Sequence, residues 1–212
     1  MSQASDSSSR ANALRKRPVQ ARSRRRFDAI LAAAGELFAE HGVEATAMEA
    51  IAARAGTSIG SVYQYFPDKR AVFVALAEQV LERSRATFDA LVLDAEPMPW
   101  PALIDRAVDV FAAMLGDPSL RAVWMNLQRY GEVLEADHAL HEELIERTTE
   151  ILRAYATDLR ARDRRRVATM VVDVIAGVLF MATHREPERS GEMIREVKVL
   201  LRRYLAPYAE AE

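Results

Sequence analysis

The fold is decided by residues 46–70, TAMEAIAARAGTSIGSVYQYFPDKR, which read as two short helices joined by a tight turn and followed at once by a third. Thr46, with Glu49 three residues later, has the pattern of a capping box, which predicts that a helix begins there. Met48, Ile51, Ala52 and Ala55 then follow helical spacing on one face. Gly56 is expected to end this helix, because glycine readily takes the left-handed conformation that the turn requires.

The second short helix is predicted to begin at a cap supplied by Thr57 or Ser58 and to stop before Pro67. Its buried stripe would consist of Ile59, Val62 and Phe66. Two helices separated by about three to four residues have the dimensions of a helix-turn-helix, whose second helix enters the major groove of DNA.

The outer face of the second helix is predicted to be small and polar, and its members are Ser58, Gly60, Ser61, Gln64 and Tyr65. Gly60 costs about 1 kcal/mol of helix stability relative to alanine, which a close approach to a phosphate backbone would explain. Hydroxyl groups donate to phosphates, and a glutamine pairs bidentately with adenine. We therefore expect Gln64 to contact a base and Tyr63, Tyr65 and Lys69 to contact the DNA backbone. The alternative is an ordinary helical hairpin with a polar outer face.

Three segments of the chain resemble the DNA-binding domain of the TetR/AcrR family of bacterial regulators. They are FDAILAAAGELFAEHG at 27–42, IAARAG at 51–56 and GSVYQYFPDKR at 60–70, and the resemblance covers about residues 20–75 without gaps. It implies that the second helix of the motif enters the major groove, and that Tyr63 and Lys69 touch phosphates. Some family members carry a polar residue at the position of Ile59, which here would contact a thymine methyl group or be buried.

Charge is distributed unevenly along the chain. Residues 1–70 contain 11 Lys/Arg and 7 Asp/Glu, a net charge of +4, whereas residues 71–212 contain 18 and 24, a net charge of −6. A basic end on an acidic body suits the steering of that end onto nucleic acid. Residues 1–20 are predicted to form a disordered basic arm that contacts phosphates or the minor groove, the alternative being a solvated tail. The predicted DNA contacts are Arg24, Arg25, Thr46, Ser58, Gly60, Ser61, Tyr63, Gln64, Tyr65 and Lys69.

The composition argues against an enzyme and against secretion. The chain has no cysteine, no glycine-rich phosphate loop and no nucleophile elbow, so we expect neither catalysis nor a cofactor. His138 and His141 lie beside acidic residues and could hold a metal, but a solvated helix face is the favoured interpretation. The polar N-terminus lacks the apolar core of a signal peptide, and no stretch of about 18 apolar residues lacks charge. A cytoplasmic location is therefore expected.

The rest of the chain is predicted to be helical, which makes the fold class all-α with no strand. We expect a disordered basic arm at 1–20, a helix-turn-helix domain at 21–68, and a ligand-binding and dimerisation domain at 69–212. The predicted helices span about 23–40, 67–93, 101–116, 120–130, 135–159, 163–183 and 191–206, besides the two of the motif. Gly131 is expected to end the helix at 120–130. The long helix at 67–93 would act as a lever between the two domains.

The last two helices are expected to pair two subunits. Residues 167–183, VATMVVDVIAGVLFMAT, are apolar almost all round and should be buried on several sides, whereas the final helix is amphipathic. This pattern suits a two-fold four-helix interface, in which Ala176 and Gly177 allow close approach. The alternative is that both helices pack inside a monomer. The resemblance favours a homodimer, because the family pairs through its last two helices.

A ligand cavity between the middle helices is implied mainly by the resemblance. Such pockets are mostly apolar with a few polar groups, and the candidate residues are Trp100, Phe111, Met114, Trp124, Tyr130, Met170 and Asp173. Asp173 interrupts the most apolar run, so it should pair across the interface or face a cavity. The leading hypothesis is a homodimeric repressor that a small, apolar ligand releases from a palindromic DNA operator. The alternatives are an architectural or partner-binding DNA factor without an effector, and a helical small-molecule carrier or enzyme.

Overall fold

A computed structural model describes residues 20–93, 98–156, 159–185 and 187–209 of the chain. These described residues are mostly helical and contain no β-strand, which confirms the predicted all-α class. The α-helices, numbered in chain order, are α1 Ala21–His41, α2 Met48–Arg54, α3 Ile59–Tyr65, α4 Lys69–Leu93, α5 Trp100–Leu115, α6 Pro118–Asn126, α7 Gly131–Tyr155, α8 Ala161–Arg185 and α9 Ser190–Ala209. Short 3₁₀ helices span Leu127–Arg129 and Pro187–Arg189.

The helix predicted at 120–130 ends earlier than expected, at Asn126, and Gly131 is the first residue of the next helix instead of the end of this one. The chain leaves α6 through the 3₁₀ turn, and Tyr130 takes an extended conformation with φ −129° and ψ 93°. The carbonyl of Tyr130 then accepts hydrogen bonds from the backbone N–H groups of Val133 and Leu134, each at 3.0 Å. Helix α7 therefore begins at Gly131, because Tyr130 supplies the acceptor that starts the helical hydrogen-bond series.

The chain forms two compact units, and the first contains two segments that are distant in sequence. It comprises the described residues up to Glu82 together with Pro118–Leu134. The second comprises Arg83–Asp117 and the described residues from Glu135 onward. The boundary predicted from sequence lies near residue 68. The first half of α4, all of α6 and the start of α7 thus belong to the unit that carries the helix-turn-helix.

The first unit is held together by an apolar core that includes both of its segments. Ile30, Val62 and Phe66 are completely buried. The ring of Phe73 on α4 stacks on Tyr130, with 4.3 Å between ring centroids. Burial of these side chains provides the main stabilisation of the unit. It also anchors the later segment against the N-terminal helices.

Helices α1 and α6 of this unit approach each other closely at Gly35 and Ser119. Both residues are buried. A Cβ atom built on Gly35 would lie 2.1 Å from Ser119 Oγ and 2.9 Å from Ser119 Cβ. The absence of a side chain at Gly35 therefore permits the two helices to pack at their observed separation.

Gly35→Ala is expected to lower the free energy of unfolding by about 1–3 kcal/mol, the usual cost of overpacking a dense core. This cost outweighs the gain of about 1 kcal/mol that alanine brings to a helix. Urea unfolding followed by circular dichroism measures the change. Gly60→Ala is the control, because no atom lies within 4 Å of a Cβ built there. Adding Ser119→Gly should recover most of the loss; a fully stable Gly35→Ala would contradict the tight contact.

In the second unit, α8 and α9 pack on each other and on α5. Val108, Leu179 and Leu201 are completely buried in its core. Two ion pairs join α9 to α5: Lys198 Nζ lies 2.6 Å from Asp109 Oδ1, and Arg202 pairs with Asp105. Two kinds of contact therefore fix the rotation of α9 about its own axis. The ion pairs with α5 hold one flank, and the buried apolar side chains hold the inner side.

The expectation that residues 167–183 are buried on several sides is wrong for the chain by itself. One side of α8 is solvent-exposed and carries Met170, Asp173, Gly177 and Met181. Residues 161–183 are long and apolar enough to cross a membrane by length and composition. A packed core helix passes the same test, and the inner side of α8 is packed on α5 and α9.

Candidate nucleic-acid interface

The turn between α2 and α3 is built on a single left-handed glycine. Gly56 has φ +62°, the conformation predicted for it. The N–H of Ala55 donates to the carbonyl of Ile51 at 2.9 Å, and the N–H of Thr57 donates to the carbonyl of Ala52 at 3.0 Å. These bonds satisfy the last carbonyls of α2 and turn the chain directly into α3.

The start of α2 differs from the prediction, since the capping box at Thr46 is not formed. Helix α2 begins at Met48, and its N-terminal cap residue is Ala47, which has no side-chain hydrogen bond. Thr46 is buried, and its hydroxyl donates backward to the carbonyl of Gly42 at 2.8 Å and that of Leu37 at 3.3 Å. Thr46 therefore closes the link between α1 and α2, and its hydroxyl proton is already used inside the protein.

The ends of α3 follow the sequence signals. Ser58 is the cap, and its Oγ accepts a hydrogen bond from the N–H of Ser61 at 3.2 Å. Phe66 leaves the helix with φ −123° and ψ 118°, the extended backbone that a residue before proline prefers. Val62 and Phe66 are completely buried as predicted, whereas Ile59 is half-buried.

Tyr65 lies on the inner side of α3, contrary to its predicted position on the outer face. Its side chain is 5% exposed, and its ring meets Phe27 of α1 edge-on at 5.6 Å. Its hydroxyl lies 2.7 Å from Ser23 Oγ. The phenol therefore links α3 to the first turn of α1. In the sequence, its position three residues after buried Val62 is a signal for this inward orientation.

The remaining polar residues of α3 form a continuous outer surface. Ser58, Gly60 and Gln64 are exposed, Ser61 is half-buried, and Tyr63 is 39% exposed. Because a Cβ on Gly60 would meet no atom within 4 Å, no packing requirement inside the protein explains this glycine. We call this set, Ser58, Gly60, Ser61, Tyr63 and Gln64, the α3 outer face.

Basic residues lie on the two helices next to α3, in the first turns of α1 and at the start of α4. Arg24 and Arg25 are exposed in the first two turns of α1, and the arginines at 10–17 lie outside the described residues. Lys69, the first residue of α4, donates from Nζ to the carbonyl of Glu44 at 2.6 Å. An ammonium group has three donors, so this bond leaves Lys69 able to donate to a phosphate as well.

Arg54 on α2 is neutralised by α1 and is not a candidate contact. Its guanidinium donates to Glu36 Oε2 at 2.9 Å and to both carboxylate oxygens of Glu40 at 3.1 Å. The hydrogen bond from Arg54 lowers the pKa of the Glu40 carboxyl below its ordinary value. The bidentate pair thus fixes α2 against α1.

Comparison with known families agrees with this geometry. Residues 30–76 match "Bacterial regulatory proteins, tetR family", and residues 99–205 match "Tetracyclin repressor-like, C-terminal domain". The second match alone spans half of the chain. This chain belongs to the TetR family. TetR-family regulators bind operator DNA and small-molecule ligands, usually as homodimers.

Individual TetR-family relatives match parts of the chain. The HTH-type transcriptional regulator RutR of Escherichia coli K12 is 36% identical over 84 residues, which are 40% of this chain and 38% of RutR. The HTH-type transcriptional repressor AcnR of Corynebacterium efficiens is 28% identical over 108 residues, which are 47% of this chain and 56% of AcnR. The chain thus matches 38% of the length of RutR and 56% of the length of AcnR, less than two thirds of either regulator.

A solved structure extends the similarity to most of the chain. SmeT in its complex with triclosan has a TM-score of 0.67 and 27% sequence identity, covering 87% of this chain and 92% of SmeT. A second structure describes SmeT as the repressor of the Stenotrophomonas maltophilia multidrug efflux pump SmeDEF.

The residues predicted to line a ligand pocket of the TetR type are divided between the two compact units. Trp100, Phe111 and Met114 are half-buried on α5, in the second unit. Trp124 is half-buried and Tyr130 is buried in the first unit, where Tyr130 stacks on Phe73. Tyr130 therefore serves as core in that unit.

Met170 and Asp173 lie on the exposed side of α8 and not in the interior of their unit. Met170 is 44% exposed. The carboxylate of Asp173 lies 3.0 Å from Nε2 of His141 on α7, a partner that the sequence interpretation did not consider. Met170 and Asp173 are therefore not part of the proposed ligand site. Among the described residues, no cluster of three or more His, Cys, Asp or Glu side chains could hold a metal ion.

Substitutions of two tyrosines on α3 distinguish a contribution to DNA affinity from a contribution to the free energy of unfolding. Tyr65→Phe should lower the free energy of unfolding by about 1 kcal/mol, because the hydroxyl loses Ser23, and should change DNA affinity little. Tyr63→Phe should weaken DNA binding more than Tyr65→Phe does, because the exposed phenol of Tyr63 belongs to the α3 outer face. Thermal unfolding and fluorescence anisotropy with labelled operator DNA measure the two effects. Equal effects of the two substitutions on DNA affinity would contradict this assignment.

Proposed function

We propose that this chain is a transcriptional repressor that binds a palindromic operator as a homodimer. The observation that carries the proposal is the α3 outer face, which is polar and mostly exposed. It is presented by a helix whose opposite side is fully buried. Such a surface, with Arg24, Arg25 and Lys69 on the two neighbouring helices, suits entry into a major groove. The acidic body and basic N-terminal region suit the orientation of this end toward DNA.

Family membership supports the same function. RutR is a transcriptional regulator, and AcnR and SmeT are repressors. Regulators of this family act on DNA in the cytoplasm, so we place the chain there and do not propose an enzymatic activity. The runner-up function is a DNA-bound architectural or partner-binding factor that answers to no small molecule.

Selection of bound fragments from a random DNA pool at physiological salt tests the proposal. A dimeric repressor should enrich two-fold symmetric sites with half-sites about one helical turn apart, or closer in an overlapping arrangement. Enrichment of DNA without a shared sequence would leave only phosphate binding by basic residues, and would overturn the proposal.

Gln64→Ala should relax base preference at one base pair in each half-site, at a cost of about 1–3 kcal/mol for the preferred base. Anisotropy titrations against the selected operator and its single-base variants measure this preference. Arg24→Ala is the control: it should weaken binding equally for all sequences and reduce the slope of log affinity against log salt by about 0.9. A uniform loss for Gln64→Ala would show that Gln64 does not contact a base.

The homodimer is proposed to form through α8 and α9. The exposed large apolar side chains on these helices are Met170, Met181, Met193, Val199 and Leu200. A second copy would cover this apolar surface in a four-helix arrangement. Gly177 is exposed among these residues, with no atom within 4 Å of a built Cβ, and so leaves room for close approach.

A small apolar effector is proposed to bind among α5 residues such as Trp100, Phe111 and Met114. The triclosan complex of SmeT supports an apolar ligand class. Loss of DNA affinity by a factor of 100 requires about 2.7 kcal/mol of difference in ligand binding between the two states. Release of labelled operator in a titration with apolar aromatic compounds tests this. A compound that binds the protein yet leaves DNA affinity unchanged would favour the architectural factor.

A further inference from the structure

One side of α9 carries an acidic residue before and a basic residue after a central apolar residue. This order is complementary to an antiparallel second copy of the same helix. Met193, Glu196, Leu200, Arg203 and Pro207 are spaced by three or four residues and therefore share one helix face. We call this set the α9 stripe. Leu200 lies at its centre and is 51% exposed, the largest value among the exposed large apolar residues of α8 and α9. Glu196 lies one turn before Leu200, and Arg203 lies one turn after it.

The charges of the α9 stripe differ from those on the flank of the same helix. Lys198 and Arg202 on the flank pair with Asp109 and Asp105 of α5. Glu196 and Arg203 are exposed and take part in no ion pair with another described residue. The helix therefore has its flank charges satisfied inside the subunit, whereas the two stripe charges stay available for a partner.

We propose that α9 packs antiparallel on α9 of a second copy and crosses it at Leu200. Glu196 of each subunit then pairs with Arg203 of the partner subunit. In a two-fold contact centred on Leu200, a residue one turn before the centre faces a residue one turn after it, so both ion pairs form together. This inference rests on the proposed homodimer and adds its orientation. A parallel crossing would instead place Arg203 against the partner subunit's Arg203.

Helix α8 adds positive charge at the same end of this surface as Arg203. The short 3₁₀ turn Pro187–Arg189 joins α8 to α9, so the two helices run antiparallel. The two helices pack on each other, so the start of α8 lies beside the end of α9. Arg162 and Arg166 are 73% and 66% exposed and share the single carboxylate of Asp163.

The basic end of the α8–α9 pair, which contains Arg162, Arg166 and Arg203, therefore keeps an excess of positive charge. The opposite end is close to neutral: the carboxylate of Glu192 lies 3.4 Å from Nε of Arg189, and Glu196 and Arg195 are both exposed. An antiparallel dimer keeps the two basic ends apart and places Glu196 of each subunit beside the basic end of the other, whereas a parallel dimer brings the two basic ends together. The order of charge favours a second copy over an unrelated partner, because only a copy must supply equal and opposite charge at these positions.

A charge-reversal experiment tests the register. Glu196→Arg alone and Arg203→Glu alone each place like charges together twice, and each should raise the dimer dissociation constant about tenfold to a hundredfold in sedimentation at low salt. The double variant Glu196→Arg/Arg203→Glu restores both pairs with exchanged signs and should dimerise as the wild type does. A mixture of the two single variants should form mostly heterodimers, detected by native mass spectrometry with one variant mass-labelled.

The control reverses an exposed pair of similar spacing on α7. Glu150 and Arg153 are 63% and 61% exposed and pair at 2.7 Å. Glu150→Arg and Arg153→Glu should leave the dimer dissociation constant unchanged. The neutral variants Glu196→Gln and Arg203→Gln, checked for wild-type helicity, should weaken the dimer less than the reversals do.

The outcomes separate this inference from the function on which it rests. A wild-type protein that stays monomeric at all concentrations would overturn the proposed homodimer, and this register with it. A wild-type dimer whose single reversals dimerise normally, or whose mixture gives only the statistical proportion of heterodimers, would overturn the register alone. Operator binding by the wild type is measured in parallel and reports on the repressor function separately.

Discussion

The structure of the DNA-facing unit depends on burial of the inner side of α3. A helix of seven residues is too short to be stable by itself, so its conformation is held by what it packs against. Val62 and Phe66 are completely buried, and Tyr65 contacts Phe27 and Ser23 of α1. These contacts fix the rotation of α3 about its axis. The outer side chains are therefore oriented by apolar packing on the opposite side, and not by interactions of their own.

Local signals in the sequence were sufficient where a single residue determines the backbone. Gly56 takes the left-handed turn, Ser58 caps α3, and Pro67 ends it, each as predicted. The predictions failed where a distant partner decides. The hydroxyl of Thr46 bonds to carbonyls at the end of α1 instead of capping α2, and the ring of Tyr65 is buried by Phe27, 38 residues earlier in the chain. Neither partner is visible in a short window of sequence.

The apolar composition of α8 illustrates a different limit of prediction. Its apolar residues predicted burial on several sides, but composition does not distinguish a neighbour in the same chain from a second copy. Leu179 is completely buried within the unit, whereas Met170 and Met181 remain exposed on the other side. Asp173 lies on that exposed side and is held by His141, so it needs no buried partner. Only the three-dimensional arrangement of the chain assigns each side to its neighbour.

The ion pairs between α9 and α5 explain why the two charges of the α9 stripe face outward. Lys198 and Arg202 bind α5, and Val197 and Leu201 are buried, so the rotation of α9 is fixed before any partner arrives. The α9 stripe then faces outward as a consequence of contacts that it does not itself make. An apolar stripe alone would bind many apolar surfaces. Opposite charges on either side of Leu200 penalise partners that lack the matching order, because a wrong alignment leaves like charges together. In the proposed dimer, specificity for the same chain therefore follows from two exposed residues, while affinity follows from the apolar residues around them.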